Sequence, residues 1–133
     1  MSGFARVADT RRIAKFALVG VTGMIVNTVV LYLGHDVGHM PLLIASALAV
    51  ETAILNNFLW NNLWTFSQRD FNWDRLAKFN LVSLGGLVIT VSILYALVQW
   101  FGLYYLVANL LAISVATGWN FMINSIWTWG SVT

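Results

Sequence analysis

The residues able to do chemistry are few, and most lie in apolar surroundings. Glu51 stands within ALAVETAILNN (47–57), with no Lys or Arg nearby in sequence to pair with it. The segments NNFLWNNLWTF (56–66) and GWNFMINSIWTW (118–129) place amides and indoles together. Asn57 and Asn61 are four residues apart and share a helix face, which Trp64 continues one turn on. Asn120, Asn124 and Trp127 repeat that face. Unpaired amides in hydrocarbon cost several kcal/mol, so these side chains are expected to meet protein, water or a ligand. Amides match hydroxyls and ring faces stack, a combination that suits a sugar, whereas interhelical hydrogen bonding is the plainer use. Two basic pairs, Arg12 with Lys15 and Arg75 with Lys78, could hold a phosphate or simply anchor the chain at an interface. Asp74 is spaced to pair with Lys78 on a helix, which weakens Lys78 as a ligand.

The elements that carry these residues follow from composition. Of the 133 residues, 59% are hydrophobic and only 9% charged, where a soluble domain carries about 25% charged residues. The natural solvent is therefore lipid. A run of about 20 apolar residues crosses a bilayer. Four such runs predict an all-α membrane protein, a single transmembrane domain over 1–133, with spans near 14–34, 41–65, 77–99 and 103–128. The first span is too long for a signal-peptide core, so it is read as a retained helix. All seven Lys and Arg precede span one or lie between spans two and three. The bias of Lys and Arg toward the cytoplasm places both termini and the 67–76 loop inside. DFNWDRLAKF (70–79) is read as a short amphipathic helix on the membrane surface leading into span three.

The chain also repeats. RIAKFALVGVTGMIVNTVVLY from Arg12 aligns with RLAKFNLVSLGGLVITVSILY from Arg75, and the 63-residue offset continues without a gap. Repeat one covers about 12–66 and repeat two about 75–129, each a helical hairpin, so the repeats run parallel about an axis along the membrane normal. Glu51 falls near the middle of span two, where a charge is expensive and suggests function. At 100° per residue it lies almost in line with Asn62. It is expected to wall a substrate path, either hydrogen-bonding hydroxyls or exchanging a proton, or else to be tied to a neighbouring helix. Its repeat mate is Ser114. Gly20, Gly23, Gly85 and Gly86 are read as packing positions, and Asn27 as a helix–helix contact. Trp60, Trp64, Trp73, Trp127 and Trp129 fit an interfacial belt.

Other classes find little support. There is no cysteine, and His35, Asp36 and His39 in a short loop make a poor metal site. No metal cluster, phosphate loop or nucleophile–base pair appears, so no cofactor, no metal and no enzyme activity are expected. The net charge of +2 sits where anionic headgroups would be, and nucleic acid is not an expected partner.

The basic entry KFALVGVTGMIVNTVVLY and the end of span two, NNFLWNNLWTF, resemble the GtrA-like family of small four-span proteins of bacterial envelopes. That family typically shows Asn-Arg-x-Trp-Thr-Phe at the second segment. Here Asn61, Asn62, Leu63, Trp64, Thr65 and Phe66 occupy it, with Asn62 in the place of the Arg. A phosphate-holding task of that Arg would pass to Arg12, Lys15, Arg75 or Lys78. The resemblance implies a role in cell-surface polysaccharide synthesis, in the bacterial cytoplasmic membrane. It implies translocation of a polyprenyl-phosphate-linked sugar, with Glu51, Asn57, Asn61, Asn62, Trp64, Asn120, Asn124 and Trp127 on the sugar. The alternative is a non-transporting partner that recruits or orients a membrane glycosyltransferase. A proton-coupled exporter using Glu51 ranks third, because its kind often inserts both ways with little charge bias. Membrane lipids are expected partners, and since four short helices enclose little space, so is a homo-oligomer.

Overall fold

A computed structural model describes residues 9–130. These form four long helices and, among the described residues, no strand. Helix α1 spans Thr10–Leu31 and continues as a π-helical segment through Val37. Helix α2 spans Leu42–Trp60 and ends in a π-helical turn, Asn61–Thr65. Helix α3 spans Trp73–Gln99. Helix α4 spans Tyr105–Ile123 and also ends in a π-helical turn, Asn124–Thr128. With these turns included, each of the four is at least 24 residues long and apolar enough to cross a membrane. The chain is a multi-pass, all-α membrane protein.

The helices extend beyond the apolar runs where polar side chains support the backbone. Asn72 caps α3, its Oδ1 accepting from the Asp74 and Arg75 amides at 2.8 and 3.2 Å. Asp74 then lies in the first turn, where the helix dipole favours an acid. As a result 73–79 forms the first turns of α3, continuous with the span that the segment was expected to lead into, while 70–72 lie outside the helix. Hydropathy stops at the first charges, whereas a capped helix does not.

The residues divide into two compact hairpins, Thr10–Phe71 and the part from Asn72 onward. Each hairpin builds its own core from small side chains. Ala45, Ala49 and Ala53 are buried along α2, and Ala108, Ala112 and Ala116 are buried at the corresponding positions of α4. Without a hydrophobic force between helices in lipid, small residues let the backbones approach and gain dispersion contact. Large side chains point outward instead: Leu43 is 83% exposed, as suits a surface solvated by acyl chains.

At the end of each alanine stripe an asparagine rests on a glycine. A Cβ at Gly23 would collide with the side-chain amide of Asn57, and a Cβ at Gly86 with that of Asn120. Gly85 lies beneath the Trp119 ring, while Gly20 faces open space and has no packing partner within 4 Å of an added Cβ. The turns are short. In the first hairpin His35 Nδ1 and the Met40 carbonyl are 2.8 Å apart across the turn. In the second, Gly102 adopts φ +65°, a conformation that glycine reaches at little cost.

Replacing Gly23 or Gly86 by Ala should lower thermal stability in detergent by about 1–3 kcal/mol, the usual range for overpacking. Adding Asn57→Ala to Gly23→Ala should recover a good part of that loss. Unchanged melting of the single variants would rule out the tight glycine–amide contact.

Candidate functional site

The polar residues collect at one end of each hairpin, where the first helix starts and the second ends. The second helix closes there with an i to i+5 turn: the Phe66 amide reaches the Asn61 carbonyl at 2.8 Å, and the Trp129 amide reaches that of Asn124 at 2.9 Å. Such turns recur at functional sites. Each is fastened by a side-chain bond. Thr65 Oγ1 donates to Asn61 Oδ1 at 2.7 Å, and Thr128 Oγ1 donates to Asn124 Oδ1 at 2.6 Å. Asn61 and Asn124 are almost fully buried.

The wider turn separates residues that a regular helix would align. Trp64 does not continue the buried face of Asn61; its side chain is 43% exposed, and Trp127 is 45% exposed. Thr65 and Thr128 take the inward positions. Both threonines were legible as members of the repeat, in WTF and WTW, but their role depends on a turn geometry that periodicity does not reveal.

Cations cover the exposed rings. The Lys15 ammonium lies 5.5 Å from the Trp64 ring centre, and Lys78 lies 5.4 Å from that of Trp127. Arg12 stands 5.5 Å from the Phe66 ring centre. Each contact contributes about 0.5–1 kcal/mol at an exposed site. Of the four candidate phosphate ligands, Arg75 is buried, and Lys78 forms an ion pair with Asp74 at 3.1 Å. Arg12 and Lys15 remain partly exposed.

Asn62 has another use. Its Nδ2 donates to the carbonyls of Gln68 and Asp70 at 3.2 and 3.0 Å, which folds the 66–71 loop back over the helix end. It is buried, whereas Glu51, nearly in line with it on α2, is exposed. The loop covers one end of the line and leaves the middle open. Asn57 is partly buried, and its Oδ1 accepts from Asn56 Nδ2 at 3.3 Å. In the second hairpin the Asn120 Oδ1 and Asn124 Nδ2 atoms are buried with no hydrogen-bond partner. They supply one acceptor and one donor, one helical turn apart.

Within the first hairpin the outer faces of α1 and α2 form an open, mainly apolar groove of about 700 Å³, walled by Leu18, Val21 and Thr22 and by Trp60, Leu63 and Trp64. No group of three or more His, Cys, Asp or Glu able to hold a metal occurs among the described residues.

A family profile described as the GtrA/DPMS transmembrane domain matches residues 15–129, which takes in both hairpins and both π-helical ends. The chain belongs to this family. Two relatives frame the GtrA/DPMS assignment. A protein of Pyrococcus furiosus named dolichol-phosphate mannosyltransferase is 41% identical over 122 residues, covering 90% of this chain but 34% of its own length. The chain thus spans about a third of that relative. An uncharacterized membrane protein of Bacillus subtilis, YngA, is 30% identical over 121 residues and is 80% covered.

The first relative corrects the expectation that the protein is not an enzyme. A protein this similar over nearly the whole chain carries the name of a transferase. Searching the membrane segments for nucleophiles and phosphate loops could not reveal that link, because most of the transferase's length lies outside the match.

Asn62→Ala should release the 66–71 loop without unfolding the helices. Trypsin cleavage after Arg69 should then speed up several-fold in folded protein, as expected when two loop hydrogen bonds of about 1 kcal/mol each are lost. Cleavage at the wild-type rate would show that the two bonds do not hold the loop.

Proposed function

We propose that the protein carries a polyprenyl-phosphate-linked monosaccharide across the bacterial cytoplasmic membrane, for synthesis or modification of cell-surface polysaccharide. The observation that carries this reading is the grouping, at the same end of each hairpin, of a cation on an indole beside a π turn fastened by threonine on asparagine. A cation suits the phosphate, an exposed ring face suits the sugar ring, and amides suit its hydroxyls. Membership of the GtrA/DPMS family and the lipid-phosphate substrate named for the mannosyltransferase relative support the same chemistry.

In this reading the two hairpins are parallel repeats with both termini cytoplasmic, and the basic ends face the side where such lipids are charged with sugar. Arg12, Lys15, Arg75 and Lys78 supply the positive field. Within each hairpin the indole, Trp64 or Trp127, stacks on a sugar, and the amides, Asn57 and Asn61 or Asn120 and Asn124, bond its hydroxyls. A hydroxyl both donates and accepts, so it satisfies the Asn120 oxygen and the Asn124 amide hydrogens together. Asn62 acts by holding the loop beside them. Glu51, at mid-span and exposed on α2, lies on the path the headgroup follows and bonds or exchanges a proton with it.

A second reading is favoured by the mannosyltransferase itself: the chain recruits or orients a membrane glycosyltransferase and moves nothing. The two readings separate in vesicles that contain this protein and no transferase. Under the transport reading such vesicles move a polyprenyl-phosphate-linked sugar between leaflets. Trp64→Leu and Trp127→Leu should each slow the movement about tenfold while melting as wild type, a change of about 1.4 kcal/mol in the barrier. Vesicles that show no movement above protein-free controls would refute transport.

Glu51→Gln and Glu51→Ala resolve the role of the carboxylate in the same assay. If a proton is exchanged, both should fail. If Glu51 only forms hydrogen bonds, Gln should retain much of the rate and Ala little. Wild-type movement by both would take Glu51 off the path.

A further inference from the structure

Among the equivalent positions at which the two hairpins differ, three differences act in the same direction. The first is charge. Lys78 has Asp74 one turn before it and pairs with it at 3.1 Å. At the equivalent position before Lys15 stands Arg11, so the first hairpin presents Arg11, Arg12 and Lys15 where the second presents Asp74, Arg75 and Lys78. Lys15 has no carboxylate partner among the described residues, and its contact is with the Trp64 ring.

The second and third differences concern the space below that ring. In the second hairpin Trp119 lies against Gly85, and its Nε1 donates to the Val82 carbonyl at 3.4 Å. The positions equivalent to Val82, Gly85 and Trp119 are Val19, Thr22 and Asn56. Asn56 is much smaller than Trp119 and donates to Thr22 Oγ1 at 3.0 Å. Val19 and Thr22 thereby line an open groove of about 700 Å³ that begins at Trp64.

We propose that the first hairpin, and not the second, holds the lipid end of a polyprenyl phosphate. The Lys15 ammonium takes the phosphate, and the groove below Trp64 takes the isoprenoid chain. This rests on the lipid-linked-sugar reading and adds a division of labour to it: hairpin one, and not hairpin two, takes phosphate and lipid. The groove is mainly apolar, and at its mouth stands the Lys15 ammonium on the Trp64 ring. An amphiphile with one anionic head and one chain matches it. A diacyl phospholipid carries two chains from one head, and a neutral prenol offers nothing to Lys15.

The test uses the full chain in detergent and measures binding of a polyprenyl phosphate by native mass spectrometry, with the matching polyprenol and phosphatidylglycerol as competitors. Lys15→Gln should weaken binding about tenfold or more, as loss of a charge-assisted contact predicts. Lys15→Arg should restore most of it. Lys78→Gln should cost less than Lys15→Gln. Thr22→Trp, which fills the groove, should also cost about tenfold, scored only on protein that melts as wild type. Neither competitor should displace the phosphate at equal concentration.

Equal losses for Lys15→Gln and Lys78→Gln would overturn the division of labour. Equal displacement by phosphatidylglycerol would show a general lipid groove and overturn the assignment. Transport and binding can fail separately. If the wild type moves lipid-linked sugar while Lys15→Gln binds the phosphate normally, this proposal falls and the transport reading stands. If binding depends on Lys15 but vesicles move no sugar, the transport reading falls and this one stands.

Discussion

The contact on which each hairpin depends is a side-chain amide laid on a helix that lacks a side chain at that point. Asn57 covers Gly23, and Asn120 covers Gly86. In lipid, helices gain nothing by hiding apolar surface from one another, so association rests on close packing and internal hydrogen bonds. The alanine stripes bring the backbones together, and the glycine makes room for a polar group at the place where the helices approach the interface. Had these glycines been larger, the amides could not lie where they do, and the polar turn beyond them would not sit beside the basic start of the first helix.

From that contact outward the hairpin changes character. The helix widens into an i to i+5 turn closed by threonine on asparagine, turning an indole out and a hydroxyl in. A lysine from the opposing helix covers the indole. These features give each hairpin an apolar body and one end rich in donors, ring faces and positive charge. At the end of the second hairpin the Asn120 oxygen and the Asn124 amide nitrogen are buried with no hydrogen-bond partner.

The family assignment fits this arrangement. The match over residues 15–129 covers the body and the polar ends of both hairpins, so the features shared by the two hairpins lie within what the GtrA/DPMS transmembrane domain describes. Three differences between the hairpins stand out: Arg11, which lies before the matched residues, against Asp74, and Thr22 against Gly85 and Asn56 against Trp119, which lie within them. Each changes charge or volume at a position where the backbone stays the same.

Much of this protein was determined by sequence alone, because the dominant force acts residue by residue. Four apolar runs dictate four helices in lipid, whatever they pack against, and the 63-residue offset can be read by eye. The collection of Asn, Trp, Lys and Arg near the span ends was also legible, and so was the Asp74–Lys78 pair, since both depend only on helical spacing. Tertiary structure decided how those residues are used. Asn62 became a loop fastener because a later segment folds back to offer its carbonyls. Trp64 left the face of Asn61 because the helix widened there. Thr65 and Thr128 gained a role for the same reason. The groove of the first hairpin, and the Trp119 ring laid on Gly85 in the second, follow from which side chain of one helix reaches across to the other. Sequence spacing specifies position along and around a regular helix. It carries no information on what a neighbouring segment presents, or on where the helix departs from 3.6 residues per turn, and those two facts make the site.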